Sequence, residues 1–583
     1  MENYINPFKS ERASALSEDE VLNFYIEDNN YARFIRSKRN IFLVGERGCG
    51  KTMALRYNSF GIHCKKAKQE GKEIDYSTIG IHISGSPILH KQEYLLLNDN
   101  FRRSITCEHF LVLSIMWEIA HSLCNVTEIQ EIIKAEYDRL FQDFEYILGV
   151  ELKNEYDFFT AVKNFTLHEA KQTQNKINAY NEDDFYDNTM SFSSTIVPFI
   201  EIIKSVPIFR NSHFLLMIDD AQTMNEYQIK TLNTWIAYRD HANFSFKVAT
   251  TKVDRPKFIT STGGTILEGH DFTSIDMEKS FQNPDSEFYK LAKQIIKKRL
   301  ELIGLNDIEV EVFFPENPEF TKDIKECENV IRKEAEDKYS DGNGKKINDH
   351  IYKYARAKYY RDRLEEKKGK ANMPPYSGFR MIVAVSTGII RNLLEPCFFM
   401  FDLAFSNKDL DIKEINYTIQ NHIIIEKSKE LWTFINDGLD RNVENCNSLQ
   451  AKQIRQLFDN LMILFRNRLK THKSEPRAIT FTISQKTTHE QTYNQVRDLL
   501  DIARKAQFLY TRTSRSKDDG KLETYYIPNR LLFPSLGLDP EGQHARVSLK
   551  ATDLWNAAEK NTPIPYGDDN EIVKQPTLFE NYE

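Results

Sequence analysis

Three short stretches of the chain are largely apolar and a fourth, with Ser245 and Lys247 among its apolar residues, is strand-like; all are bounded by polar or glycine-bearing turns, as expected of strands. They are Ile41–Val44, Ile79–Ile83, His213–Ile218 and Phe244–Thr250. Between them the apolar residues return every three or four positions, as in Leu111, Ile115, Met116 and Ile119, or along Tyr227–Tyr238, which is helical spacing. Strands alternating with helices predict an α/β fold on a doubly wound parallel sheet. Ser17 and Glu20 form an S-x-x-E capping box that opens an N-terminal helix carrying Val21, Leu22, Phe24 and Tyr25. Residues 102–206 show mostly helical periodicity, so they read as a helical insertion between sheet strands.

After Asp276 the pattern becomes helical alone, beginning with Phe288–Leu302. A strongly charged stretch from Thr321 to Lys370, broken at Asp341-Gly342-Asn343-Gly344, predicts exposed helix and loop, and Tyr376–Phe405 returns to packed helix. A new unit starts at Ala451. It has a helix with Ile454, Leu457, Phe458, Leu461 and Phe465 on one face, then an alternating strand (Ile479, Phe481, Ile483). A second helix follows (Tyr493, Val496, Leu500, Ala503), then a hairpin with arms Phe508–Thr513 and Leu522–Ile527 around Asp519-Gly520. That order is the order of a winged helix, although no short helix is evident in Ser484–Glu490. The expected organisation is N-terminal helices (1–39), a nucleotide-binding core (40–283), a helical lid (284–450), the winged helix (451–550) and an acidic tail (551–583).

The most specific chemistry lies between the first apolar run and the helix after it. Gly45-Glu46-Arg47-Gly48-Cys49-Gly50-Lys51-Thr52 is a complete G-x-x-x-x-G-K-[ST] phosphate loop. Backbone N–H groups from Gly45, Gly48, Cys49 and Gly50 can curl around a phosphate, Lys51 brings a mobile positive charge, and the Thr52 hydroxyl suits Mg2+. The positive end of the following helix faces the same anion. ATP with Mg2+ is the expected ligand.

Such a loop needs an acidic partner to hold the metal and polarise water. Leu215–Ile218 runs into Asp219-Asp220 at the C-terminal end of a strand, where doubly wound sheets place their ligands. Asp219 is assigned to the metal shell and Asp220 to the water; capping of the next helix is the alternative role for the pair. Thr250 or Thr251, at the end of the neighbouring strand, is placed to touch the γ-phosphate or the water, but threonine also simply favours strand ends.

Composition narrows the remaining classes. With 40% hydrophobic and 28% charged residues the chain is an ordinary globular protein, and a net charge of −7 excludes a surface that is basic all over. The seven cysteines form no C-x-x-C pair and the fourteen histidines no H-E-x-x-H, so neither a disulfide framework nor a zinc site is expected. No basic, apolar leader opens the sequence and no span of about twenty residues is free of charge. The expectation is a cytoplasmic protein with no membrane segment.

The order of phosphate loop, strand ending in Asp-Asp-Ala-Gln, polar strand end, helical lid and winged helix resembles prokaryotic AAA+ ATPases of the origin-recognition type. Members of that family carry a sensor arginine on a lid helix in an S-x-G-x-x-R setting, which Ser386-Thr387-Gly388-Ile389-Ile390-Arg391 resembles. The resemblance implies that Arg391 reaches the γ-phosphate and couples nucleotide state to domain angle; a surface arginine paired with a carboxylate is the alternative. It also implies a homo-oligomer in which one subunit lends an arginine to the next, with Arg239 and Arg255 as candidates. The long stretch between Thr52 and Asp219, an aspartate at 220 where many relatives have glutamate, and the charged lid insertion mark a divergent branch. Such branches resemble ATPases of mobile elements and anti-phage defence operons, which act with a separate effector protein.

Residues 451–550 hold 18 Lys and Arg against 10 Asp and Glu, whereas the first 450 residues hold 58 against 68. The surplus positive charge is therefore local. Gln491, Asn494, Gln495, Arg497, Arg504 and Lys505 on the last helix, with Arg512, Arg515, Lys517 and Lys521 on the wing, suit DNA phosphates and base edges. Two partners remain in play for this region, double-stranded DNA and a docking effector protein.

Overall fold

The computed structural model describes residues 6–9, 12–27, 29–83, 92–149, 152, 156–179, 189–237, 243–253, 257–278, 286–339, 343–365, 374–406, 412–470, 476–484, 486–515, 522–542 and 545–565. The chain divides into two compact units, residues 11–277 and residues 278–583 with 1–10.

The first unit is an α/β layer around five parallel strands: β1 (Ile41–Val44), β2 (Thr78–Ile83), β3 (His213–Ile218), β4 (Phe244–Thr250) and β5 (Thr273–Asp276). Their order across the sheet is β2-β3-β4-β1-β5. The four strand-like stretches are the first four strands. β5 escaped the hydropathy pattern because Thr-Ser-Ile-Asp is short, polar and half exposed at the sheet edge, paired only with β1.

Because side chains alternate along a strand, each face of this sheet has its own core. Phe214, Leu216, Ile218, Phe246 and Val248 face the helical insertion, which contains Asn100–Cys124, Thr127–Ile133, Tyr137–Leu148, Phe158–Ala179 and Val197–Ser205. Leu215, Met217, Ala249, Ile41 and Leu43 face Ala54 and Leu55 of the helix Lys51–Tyr57, together with Tyr25, Tyr31 and Ile35. That helix stops at Asn58, and β2 passes so close that a Cβ on Gly80 would sit 2.0 Å from the Asn58 carbonyl oxygen. Only glycine permits the approach. The buried Lys247 amine on β4 donates to the carbonyls of Ser37 and Arg39, which tethers the segment leading into β1. Among the described residues no helix joins β4 to β5; a turn bridged at Ile259 and Thr265 takes its place.

The second unit is helical except for one sheet. The charged stretch forms two long helices, Pro318–Lys338 and Gly344–Glu365, packed on each other through Ile331, Ile351 and Ala355. The sheet has β6 (Thr480–Ser484), β7 (Leu509–Arg515), β8 (Leu522–Pro528) and β9 (Arg546–Lys550) in the order β7-β8-β6-β9. β6 is buried on both faces over 480–483, so its alternating hydropathy does not mark a solvent side. Turn residues 486–489 lead into the helix Glu490–Lys505, and the hairpin β7–β8 follows. Of the acidic tail expected over 551–583, the first part is a helix, Ala551–Lys560, that packs on Ser448–Lys470 and Glu490–Lys505, and 566–583 lie outside the described residues.

The helices between 286 and 470 and the C-terminal sheet belong to the same unit, and residues 532–542 explain why: all of them are buried. Asp539 receives Arg356 and Arg477 at 3.1 Å each, and Glu541 receives Arg356 at 3.0 Å and Arg380 at 2.7 Å. Burial alone would raise the Asp539 carboxyl, but Arg356 and Arg477 hold it well below the usual carboxylate range. The Tyr376 hydroxyl donates to the Leu538 carbonyl and the Trp432 indole to that of Leu532. Breaking these pairs one at a time would leave buried charge uncompensated.

Candidate nucleotide site

Parallel strands bring their C-terminal ends to one edge. In this register Val44 pairs with Thr250 and with Asp276, and Ile218 pairs with Val248. The phosphate loop leaving β1 and the acids leaving β3 are thus separated by β4 alone, and Thr250 stands between them. The Gly45 N–H donates to the Thr250 carbonyl at 3.3 Å, which joins the loop to β4.

The loop has the backbone its glycines permit. Gly48 and Gly50 have φ of 86° and 103°, a region that side-chain-bearing residues rarely enter. Lys51 is buried, and its amine donates to the carbonyls of Gly45 (2.8 Å) and Glu46 (3.0 Å). The lysine therefore closes the loop on itself. Cys49 is buried beside it, its N–H donating to the Glu46 carbonyl.

Asp219 collects the donors around it. Its side chain is fully buried; Oδ1 accepts the Asp220 N–H at 2.9 Å, His82 Nε2 lies 3.3 Å from Oδ2, and the Thr52 hydroxyl also bonds to it. Burial works to raise this carboxyl, but His82, Thr52 and the Asp220 N–H together bring it below its ordinary value. Asp219 is therefore an anion next to the Thr52 hydroxyl, the oxygen set a hard divalent cation takes. Asp220 has a left-handed backbone (φ 47°) and an exposed carboxylate that accepts from Gln222 Nε2 at 2.8 Å. Non-glycine residues in this conformation cluster where function requires it.

The Thr250 hydroxyl is fully buried and has no hydrogen-bond partner among the described residues, an open polar valence between loop and acids. A phosphate loop with left-handed glycines, an ionised Asp219 beside Thr52, and that open hydroxyl fit a magnesium nucleotide. His82 was missed in the sequence; its one signal was a polar residue inside the apolar run Ile79–Ile83.

Arg391 belongs to the second unit, exposed in the first turn of the helix Ile390–Ser406. The Ser386-Thr387-Gly388 part of its motif is a buried turn, with Thr387 at φ 56°, and the Thr387 hydroxyl accepts the Arg530 N–H at 2.9 Å. Arg239, Arg255, Lys517 and Lys521 lie outside the described residues, as does the side chain of Arg515.

The positive surplus of 451–550 is only partly at the surface. Arg477 and Arg530 are buried in the cluster around Asp539 and Glu541, with Arg530 donating to the Glu541 carbonyl. Arg504 is paired with Asp501 at 2.8 Å, and Arg512 is paired with Glu278. Gln491 and Arg497 are exposed; Asn494, Gln495 and Lys505 are half-buried.

A five-stranded parallel sheet with a phosphate loop after β1 and acids after β3 defines a phosphate-loop nucleotide-binding protein. The chain matches the ORC-CDC6-like family over residues 6–549, nearly its whole length, and it belongs to that family of AAA+ ATPases. No curated protein and no solved structure matches it. No single helix among the described residues is long and apolar enough to cross a membrane.

Proposed function

We propose that the chain binds ATP with Mg2+ at the edge of the first sheet, hydrolyses it, and uses nucleotide state to control its second unit. The observation that carries this reading is the meeting of the Thr52 hydroxyl with the buried, ionised Asp219 behind a closed phosphate loop. Thr52 and Asp219 would hold the metal, which when bound neutralises charge between phosphate oxygens. Lys51 exchanges its two loop carbonyls for phosphate oxygens. Asp220, held outward by its left-handed backbone, orients and polarises the attacking water, and the Thr250 hydroxyl supplies a hydrogen bond from the middle of the edge. Arg391 is the lid residue proposed to sense the γ-phosphate, and Arg239 or Arg255 the one lent by a neighbouring subunit. Phosphate release from the parent and from Asp220→Asn tests the assignment. The variant should bind ATP as the parent does and hydrolyse it at least about 100-fold more slowly, in keeping with the loss of a general base; equal rates would remove Asp220 from the role.

For the C-terminal sheet the proposed partner is duplex DNA, read by the helix Glu490–Lys505 through its exposed Gln491 and Arg497. A second reading, in which this sheet docks an effector protein, is favoured by the internal pairing of Arg504 and Arg512. Duplex binding at low salt distinguishes them: binding by the parent supports the first reading, and none alongside intact ATP binding supports the second.

A further inference from the structure

We infer that His82 is a positioning residue for the metal-binding carboxylate, a role resting on the magnesium nucleotide site proposed above. β2 and β3 run parallel with His82 opposite Met217 and Ile83 opposite Ile218. Side chains two residues apart on a strand share a face, so His82, Met217 and Asp219 all point to the side on which Met217 packs with Ala54 and Leu55 of the phosphate-loop helix. The strand pairing continues one step further, with the Asp219 N–H donating to the Ile83 carbonyl at 3.1 Å. The imidazole is thereby set beside the carboxylate, Nε2 to Oδ2 at 3.3 Å.

A carboxylate only accepts, so Nε2 is the donor and carries the proton. Oδ1 is held by the Asp220 N–H and Oδ2 by His82, with the Thr52 hydroxyl as a third donor, which fixes the orientation of the carboxylate and leaves a lone pair for a metal or its water. The side chain of Asp219 is fully buried and that of His82 is 17% exposed, so water does not readily replace the imidazole as a donor. A carboxylate that must hold a cation from within a protein gains from being locked in one orientation before the metal arrives.

The test uses the full chain with the non-hydrolysable nucleotide adenosine imidotriphosphate and manganese as the probe, free Mn2+ being counted by electron paramagnetic resonance. His82→Leu removes the donor, and His82→Gln keeps an N–H at about the same reach. The inference expects His82→Leu to raise the manganese midpoint by roughly 10-fold or more, as loss of an outer partner of a metal ligand does. It expects metal-free nucleotide affinity to stay unchanged and His82→Gln to recover most of the loss. A manganese midpoint in His82→Leu equal to the parent's, or His82→Gln as impaired as His82→Leu, overturns it. If the parent itself takes up no manganese with nucleotide, the proposed site fails, and this inference with it.

Discussion

Arg512, on the first arm of the C-terminal hairpin, is ion-paired with Glu278, and the two side chains are 13% and 1% exposed. Glu278 lies two residues beyond the last residue of β5, at the start of the second unit. An arginine that the sequence offers as a DNA phosphate contact is instead a buried partner of that connecting segment. Arg512→Ala strands the Glu278 carboxylate in the interior and should cost the second unit about 3–5 kcal/mol, whereas the pair change Arg512→Met with Glu278→Leu should recover most of it. Denaturant unfolding of the three proteins checks this, and a single variant as stable as the parent would mean the pair is not closed in solution.

The same burial sorts the remaining cations of this region. Arg497 is exposed, with its nearest carboxylate, Asp498, at 3.9 Å, while Arg504 is held by Asp501 at 2.8 Å. Duplex binding measured across salt concentrations should lose about one unit of slope in log K on Arg497→Ala and almost none on Arg504→Ala. The reverse order would make Arg504, and not Arg497, the cation of this helix that meets the duplex.

How far the sequence was legible follows from what each feature depends on. The phosphate loop is a local pattern, and the strand ends at Val44, Ile218 and Thr250 could be read from hydrophobicity because central parallel strands are buried on both faces. β5 and the helix Ala551–Lys560 were not legible. The first is a short polar edge strand, and the second is apolar only on the face that meets two other helices. Charge counting misled for a different reason: it cannot tell that Arg477 and Arg530 are inside, since their carboxylate and carbonyl partners lie in a segment that looks like a loop. His82 needed the register of two strands whose sequences are far apart.

Glu118 gives a pH dependence with a definite sign. It is buried in the helix Asn100–Cys124, and burial pushes its carboxyl up to about 8 from an ordinary 4.5. Between those values the folded chain holds a proton that the unfolded chain has released. Glu118 therefore contributes stability that is fully present below the unfolded value and is lost as pH rises through the folded one. Glu118→Gln should lack this slope. Thermal unfolding should show the variant gaining on the parent from about pH 5 to pH 8, and parallel pH profiles would contradict the assignment.

Nucleotide binding is the claim on which the rest stands, and Lys51 tests it most directly. Its amine rests on the carbonyls of Gly45 and Glu46 and should transfer to phosphate oxygens when ATP arrives. Calorimetric titration of ATP with Mg2+ into the full chain should show one site, and Lys51→Ala should weaken it by about 10- to 100-fold, the loss of a charge-assisted hydrogen bond. An unchanged circular dichroism spectrum would confirm that the variant is folded. A folded Lys51→Ala protein that binds ATP as tightly as the parent, or a parent that binds none, would contradict the account.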